Sequence, residues 1–175
     1  FPDAVNELNT AKETLSSASE QLIITQDAWD DIDRSRLENT EDISVAEIEN
    51  YFSQVENIMS VFIPLTSGMG TLSEGLIDYQ TGSEAYEEGR YSEAESKFRS
   101  AAEDFTVSHS TLEEQEDAAP ESMTTSLIEL TCYSGAIRDA STHLANAAEA
   151  IQNRNRARAN EESQKANEAT DQCSF

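Results

Sequence analysis

The amino-acid sequence predicts an all-α protein, folded as an elongated antiparallel bundle of helices. Apolar residues recur at alternating steps of three and four along most of the chain, which is the period of one helix face. Only three prolines interrupt the chain, and no segment alternates apolar and polar residues as a half-buried strand does. Because 175 residues are the length of one ordinary domain, we expect a single helical domain over residues 1–175.

The first predicted helix covers residues 3–37 and carries a heptad seam. Small residues fall on one row of the seam and larger ones on the other, an arrangement that suits close antiparallel packing. The seam consists of Ala4, Leu8, Ala11, Leu15, Ala18, Leu22, Thr25, Trp29 and Ile32.

The second predicted helix covers residues 42–88, with Thr40 or Ser44 as its N-terminal cap. Its apolar stripe continues through Pro64 without a change of phase, which predicts one kinked, continuous helix. A proline costs about 3 kcal/mol inside a helix, so a break at Pro64 is the alternative. The stripe runs through Ile48, Phe52, Val55, Met59, Phe62, Leu65, Met69, Leu72, Leu76 and Tyr79.

Three further helices are predicted over residues 92–117, 121–151 and 156–170. Gly89 ends the second helix, and Pro120 stands where proline favours the first turn of the fourth. The third helix has an apolar face of Ala94, Phe98, Ala101, Phe105 and Leu112, and the fourth has one of Met123, Leu127, Leu130, Ile137, Leu144 and Ile151.

Residues 82–105 carry the small and aromatic positions of a paired-helix motif. These positions are Gly82, Ala85, Tyr86, Gly89, Tyr91, Ala94, Phe98 and Ala101. The stretch resembles one tetratricopeptide repeat, although Asp78 and Thr81 replace the usual Trp and Leu, and no proline closes the unit. The resemblance implies two helices that cross through a tight turn. Either this hairpin is the middle of a bundle, or its flanking helices extend it as a degenerate array.

Whether the two cysteines can form a disulfide depends on the shape of the C-terminal region. A single straight helix would hold Cys132 and Cys173 roughly 60 Å apart, whereas a reversal through QNRN after Ile151 would bring them level. Asn153 or Asn155 is the residue expected to take the left-handed conformation there. A Cys132–Cys173 disulfide is the hypothesis, since it would stabilise a returning arm that has only alanines to bury. Two unrelated thiols are the alternative.

The balance of charge is strongly acidic, with 35 Asp and Glu against 11 Lys and Arg and a formal charge of −24. This composition resembles that of proteins from salt-in halophilic archaea. It argues against a nucleic-acid partner, because such a surface repels phosphate. The basic run of Arg154, Arg156 and Arg158 is read as a helix face that balances acidic neighbours. The longest apolar run is too short for a membrane span.

The sequence offers no catalytic or cofactor pattern, so we predict no enzyme activity, cofactor or metal. Neither histidine has a glutamate three positions before it, as a di-iron bundle requires. Asp139 and His143 share a helix face at i and i+4, which predicts a surface ion pair. Cys132 has no histidine within helical reach, so a nucleophilic pair is unsupported.

The predicted function is binding: a non-catalytic protein-interaction or cell-surface structural protein of a halophilic archaeon. The candidate partner surface is Tyr86, Arg90 and Tyr91, because exposed aromatics beside an arginine are common interface anchors. The alternative is a ligand-sensing or solute-binding bundle with a pocket at the Pro64–Gly70 kink, lined by Trp29, Phe62 and Met69. A carboxylate-metal enzyme is a third hypothesis. An extracellular or cell-surface location is expected, with the cytoplasm as the alternative, and a homo-oligomer is left open.

Overall fold

A computed structural model describes residues 2–33 and 44–173, and these residues form five α-helices with no strand. The helices are α1 (Pro2–Asp30), α2 (Val45–Glu87), α3 (Tyr91–Gln115), α4 (Glu121–Gln152) and α5 (Arg156–Thr170). The predicted all-α class is therefore confirmed. The ends of α3, α4 and α5 lie within two residues of the predicted ends.

Helix α1 is shorter than the apolar seam indicated. It ends at Asp30, and residues 31–33 form a turn, while residues 34–37 of the predicted helix lie outside the described residues. Carboxylates are unfavourable at a helix C-terminus, where the backbone dipole is negative, and the end of α1 is rich in aspartate. Ile32 was assigned to the seam, but it follows the helix and is 44% exposed.

Helix α2 is continuous through Pro64, as the unbroken stripe predicted. Its N-terminal cap is Ser44, whose hydroxyl accepts a hydrogen bond from the Glu47 amide at 3.3 Å. The other candidate cap, Thr40, lies outside the described residues. Because the helix is continuous over its 43 residues, it packs against both α1 and α3.

Helices α2 and α3 form the tight hairpin that the repeat resemblance implies. Gly89 makes the turn with φ +77°, a left-handed conformation that glycine adopts without steric cost. A Cβ on Gly82 would lie 3.0 Å from the Phe98 ring, so this glycine lets the two helices approach closely. Ala85, Ala94 and Phe98 are almost completely buried in the resulting core.

The helices pack in the order of the chain, α1 on α2, α2 on α3, α3 on α4 and α4 on α5. Helices α2 and α4 also touch slightly, so the row curls. Helix α1 packs mainly on α2 and runs antiparallel to it, since Lys12 bonds to Ser67 and Gln26 to Glu56. Helix α1 and the first half of α2 thus form an arm, with more than half of Ile23, Ile24, Tyr51 and Ile58 exposed.

The chain reverses between α4 and α5, where the sequence predicted a turn. The left-handed residue is Arg154, with φ 57°, and neither asparagine takes that conformation. Asn155 instead caps α5, because its side chain accepts a hydrogen bond from the Arg158 amide at 3.1 Å. Helix α5 packs on α4 through small side chains, chiefly Ala140, Ala166 and Ala169. The expectation of a thin apolar face on α5 is met.

Candidate functional site

Two turns meet at one end of the bundle, which we call the turn end: residues 88–90 between α2 and α3, and residues 153–155 between α4 and α5. The side-chain amide of Gln152 joins them by donating hydrogen bonds to the Tyr91 carbonyl at 3.3 Å and to Glu95 Oε2 at 2.9 Å. A depression of about 450 Å³ at the turn end is lined by Gly89, Arg90, Tyr91, Ser92, Glu93 and Gln152.

The three predicted partner residues divide between the core and this depression. Tyr86 is half-buried, and its ring meets those of Tyr91 at 5.4 Å and Phe98 at 6.5 Å in edge-to-face contacts. Tyr86 therefore packs the hairpin. Arg90 and Tyr91 line the depression, and the Arg90 guanidinium pairs with Glu88 at 2.8 Å and with Glu93. The hydrogen bond from Arg90 lowers the pKa of the Glu93 carboxyl.

The basic run beside the turn end is only partly balanced by acidic neighbours. The Arg158 guanidinium lies 3.5 Å from Glu149, which is also 3.8 Å from Arg99. Arg154 and Arg156 are exposed, and neither forms an ion pair with any residue that the structure describes. Two arginines without an ion pair among the described residues therefore stand at the turn end of a chain with a charge of −24.

The predicted pocket of Trp29, Phe62 and Met69 is not formed. The Trp29 ring lies 6.3 Å from Phe52 instead. Phe62 is ten residues further along α2, about 15 Å away along the helix axis, and it packs against the core that contains Leu65. Met69 is 38% exposed. The apolar seams of α1 and α2 indicate which faces of the two helices meet. They do not determine the register between the helices, and the predicted pocket depended on that register.

A groove does lie at Pro64, between α1 and α2, but other residues line it. Its volume is about 370 Å³, and the lining side chains are Ser19, Leu22, Ile23, Glu56, Met59, Ser60, Ile63 and Pro64. The groove lacks the aromatic residues that the alternative function required. It is a shallow feature of the arm.

The structure joins Cys132 to Cys173 by a disulfide, with their α-carbons 5.9 Å apart. Cys132 lies on α4 and Cys173 follows the end of α5. The bond therefore ties the free end of α5 back to α4, opposite the turn that already connects them. Helix α5 is fixed at both ends.

A buried carboxylate that the sequence analysis missed also holds α5. Glu162 has only 9% of its surface exposed, and its Oε2 lies 2.7 Å from His143 Nδ1 on α4. Lys165 contacts the other carboxylate oxygen at 3.2 Å. Hydrogen bonds from His143, Lys165 and Asn146 lower the pKa of Glu162, and that from His143 has the largest effect. The predicted Asp139–His143 pair is wrong, since Asp139 instead pairs with Arg138 at 2.8 Å.

The Glu162 contact predicts a loss of α5 stability in acid. A carboxyl with a lowered pKa stabilises the fold above its ordinary pKa of 4.5, and this contribution disappears as the pH falls through the folded pKa. Of the groups around it, His143 and Lys165 contact the Glu162 carboxylate, while Glu161 pairs with Lys165 at 2.8 Å. We expect the protection factors of the α5 amides, which are corrected for the intrinsic pH dependence of exchange, to fall below about pH 4.5.

Above that pH, the Glu162→Gln variant should show lower protection factors in α5 than the unaltered protein. Below it, the protection factors of the variant should depend less on pH. The matched control is Glu161→Gln, which makes the same change of charge on a side chain that is 65% exposed. Equal pH profiles for the two variants would contradict this assignment.

The second histidine, His109, lies beside Ser134, and catalytic triads also pair a serine with a histidine. The hydrogen bonds here differ from those of a triad. His109 Nδ1 is 2.9 Å from the Thr131 carbonyl and therefore donates its proton there, while Ser134 Oγ is 3.4 Å from the same nitrogen. A protonated Nδ1 is no acceptor for the serine hydroxyl, which donates to Thr131 O at 2.9 Å. Ser134 is also completely buried. The cluster is a helix contact.

Within residues 2–33 and 44–173, no three His, Cys, Asp or Glu side chains come close enough together to bind a metal ion. None of the described helices is long and apolar enough to cross a bilayer. In comparisons with known proteins, no family model matches the chain, and neither a curated protein nor a solved structure shows significant similarity to it.

Proposed function

We propose that the protein is a non-catalytic interaction protein whose turn end binds a partner protein. The observation that supports this proposal is the depression of about 450 Å³ at the turn end, with Arg90 and Tyr91 in its lining. Arg154 and Arg156 lie in and beside the adjoining turn without ion pairs among the described residues. Aromatic residues and arginines contribute more to binding energy than most interface residues.

The charge of this surface indicates the kind of partner. Most of the chain is acidic and repels an acidic protein, whereas the unpaired guanidinium groups of Arg154 and Arg156 attract carboxylates. We therefore expect the partner to present an acidic patch with an apolar centre that meets Tyr91. A disulfide-bonded chain is typical of oxidising compartments, so the cell surface or its exterior is the proposed location.

The test is partner capture from an extract of the source organism by the tagged protein and two charge-reversal variants. Arg154→Glu with Arg156→Glu should abolish capture at low ionic strength and weaken it less in molar salt, where exposed charges are screened. The matched control is Lys12→Glu with Arg138→Glu, which changes the net charge equally at sites away from the turn end. Tyr91→Ala should reduce capture at both salt concentrations.

A partner that is lost equally from both double variants would show that net charge matters and the turn end does not. A partner that both variants retain would overturn the proposal. Circular dichroism of each variant establishes that helicity is unchanged, so that a change in capture reports on the surface.

A further inference from the structure

A cleft opens on the concave side of the curled row of helices, between α2 and α5. Its volume is about 290 Å³, near the lower limit of roughly 300 Å³ for small-molecule sites. Helices α2 to α5 all contribute to it, because α2 and α5 form the walls while Phe98 of α3 and Leu144 of α4 form the floor. The cleft is separate from the turn-end depression.

Three aromatic side chains line this space, of which Phe98 is 1% exposed and closes the floor. Tyr79 and Tyr86 come from α2, and each meets the Phe98 ring at an angle, 66° for Tyr79 at 5.6 Å and 60° for Tyr86 at 6.5 Å. Tyr79 and Tyr86 are only partly buried, so their rings are the aromatic surface that a ligand in the cleft can contact. Burial raises the pKa of the Tyr79 phenol, which therefore stays neutral and keeps its hydrogen-bond donor.

The charge at the cleft is negative. Glu87 lines its edge, is exposed, and forms no ion pair or hydrogen bond with the described part of the chain. The remaining polar lining is neutral, with Asn167 and Thr170 on the α5 wall, and no lysine or arginine belongs to the lining. Among the described residues, Glu87 is the one charged member of the lining and disfavours an anion, whereas a cation gains the Glu87 carboxylate and the electron-rich tyrosine rings.

We propose that this cleft binds a small organic cation of the quaternary ammonium class. Tyrosine rings beside a carboxylate suit such ligands, because the rings attract the diffuse charge and also bury its methyl groups. The small volume of the cleft favours a free small molecule over a segment of polypeptide. The α5 wall is held in place by the Cys132–Cys173 disulfide and the His143–Glu162 contact.

The test uses choline and 3,3-dimethylbutan-1-ol, which replaces the choline nitrogen with carbon and is otherwise the same shape. Titrations are followed by NMR of ring-labelled tyrosine and phenylalanine in about 1 M salt, where the screening length of about 3 Å suppresses loose binding to surface carboxylates. Choline should shift the Tyr79, Tyr86 and Phe98 signals saturably and leave Tyr51 unchanged. The neutral alcohol should shift none of them to a comparable extent.

Substitutions of cleft residues test whether choline binds at this site. Tyr86→Leu should weaken choline binding about threefold to tenfold, and Glu87→Gln should also weaken it. Their controls are Tyr51→Leu, at the exposed start of α2, and Glu74→Gln, on an exposed position of the same helix; both should bind choline as the unaltered protein does.

Three results would overturn the proposal. Equal binding of choline and the alcohol would show an apolar site without cation selectivity. Unchanged affinity in a folded Tyr86→Leu variant would place the ligand elsewhere. Tighter binding of Nα-acetyl-lysine methylamide than of choline would assign the cleft to a lysine side chain of a protein partner and not to a free quaternary ammonium compound.

Discussion

Replacement of both cysteines by serine should detach α5 from the bundle. The disulfide spans a sequence separation of 41 residues, for which the loop-entropy estimate is about 4 kcal/mol. Helix α5 has little else to hold it, since its buried surface consists of alanines and Glu162. We expect the Cys132→Ser, Cys173→Ser variant to lose amide protection throughout α5 and to melt roughly 10 °C lower.

Hydrogen exchange and thermal melting measure both effects, and reductant provides the control. Added to the unaltered protein, it should reproduce the variant, and added to the variant, it should change nothing. Because α5 forms one wall of the aromatic cleft, choline binding should weaken in parallel. Persistent protection of α5 in the variant would show that the alanine seam and Glu162 are sufficient.

Substitution of Gly75 by alanine should destabilise the bundle, although alanine is the better helix former. The added Cβ would lie 2.8 Å from Phe105 Cε1 and 3.1 Å from Asp104 Cβ. Phe105 is completely buried and has no room to withdraw. Overpacking of this kind costs about 1–3 kcal/mol, which exceeds the gain of roughly 0.5–1 kcal/mol from helix propensity.

Gly70→Ala is the matched control on the same helix, because no atom beyond the adjoining residues and helix backbone lies within 4 Å of its added Cβ. It should stabilise the protein by about 0.5–1 kcal/mol, so chemical denaturation should separate the two variants by sign. A second alteration, Phe105→Leu, should reduce the penalty of Gly75→Ala by removing the atoms with which it collides. An additive double variant would contradict this explanation.

The helices and the core of the α2–α3–α4 region could be predicted from the sequence. Phe98, Phe105 and Leu112 recur at helical spacing, and all three are at most 1% exposed. The period of a helix is a local property, so neighbouring residues suffice to reveal it. The turn after Ile151 was one of two alternatives, suggested by the end of the apolar stripe and the midpoint between the cysteines, and the residue with positive φ is Arg154.

The extent of burial could not be read from the same pattern. The seam of α1 is as regular as that of α3, yet no described side chain of α1 is buried. Periodicity shows which face of a helix seeks a neighbour, but the number of neighbours depends on the tertiary arrangement. Helix α1 has mainly α2 to pack against, whereas α3 lies between α2 and α4.

The candidate site depended on contacts between distant parts of the chain, which the sequence did not reveal. Tyr79 of α2 and Thr170 of α5 line the same cleft although they are far apart in the sequence. His143 and Glu162 meet only because α5 folds back on α4. The sequence did indicate Tyr86 as a candidate binding residue and Cys132–Cys173 as a candidate disulfide. That Tyr86, Tyr79 and Phe98 line one cleft could be seen only in the folded structure.

The disulfide also determines how the molecule would respond to a mechanical load. Tension applied between α1 and the C-terminal end of the chain would pass from Cys173 directly to Cys132 through the covalent bond. The segment between them, a sequence separation of 41, would carry no force, so about 140 Å of extensible chain is withheld at about 3.4 Å per residue. Stretching would therefore load α1, α2, α3 and the start of α4, while the rest of α4, the turn at residues 153–155 and α5 are shielded by the disulfide.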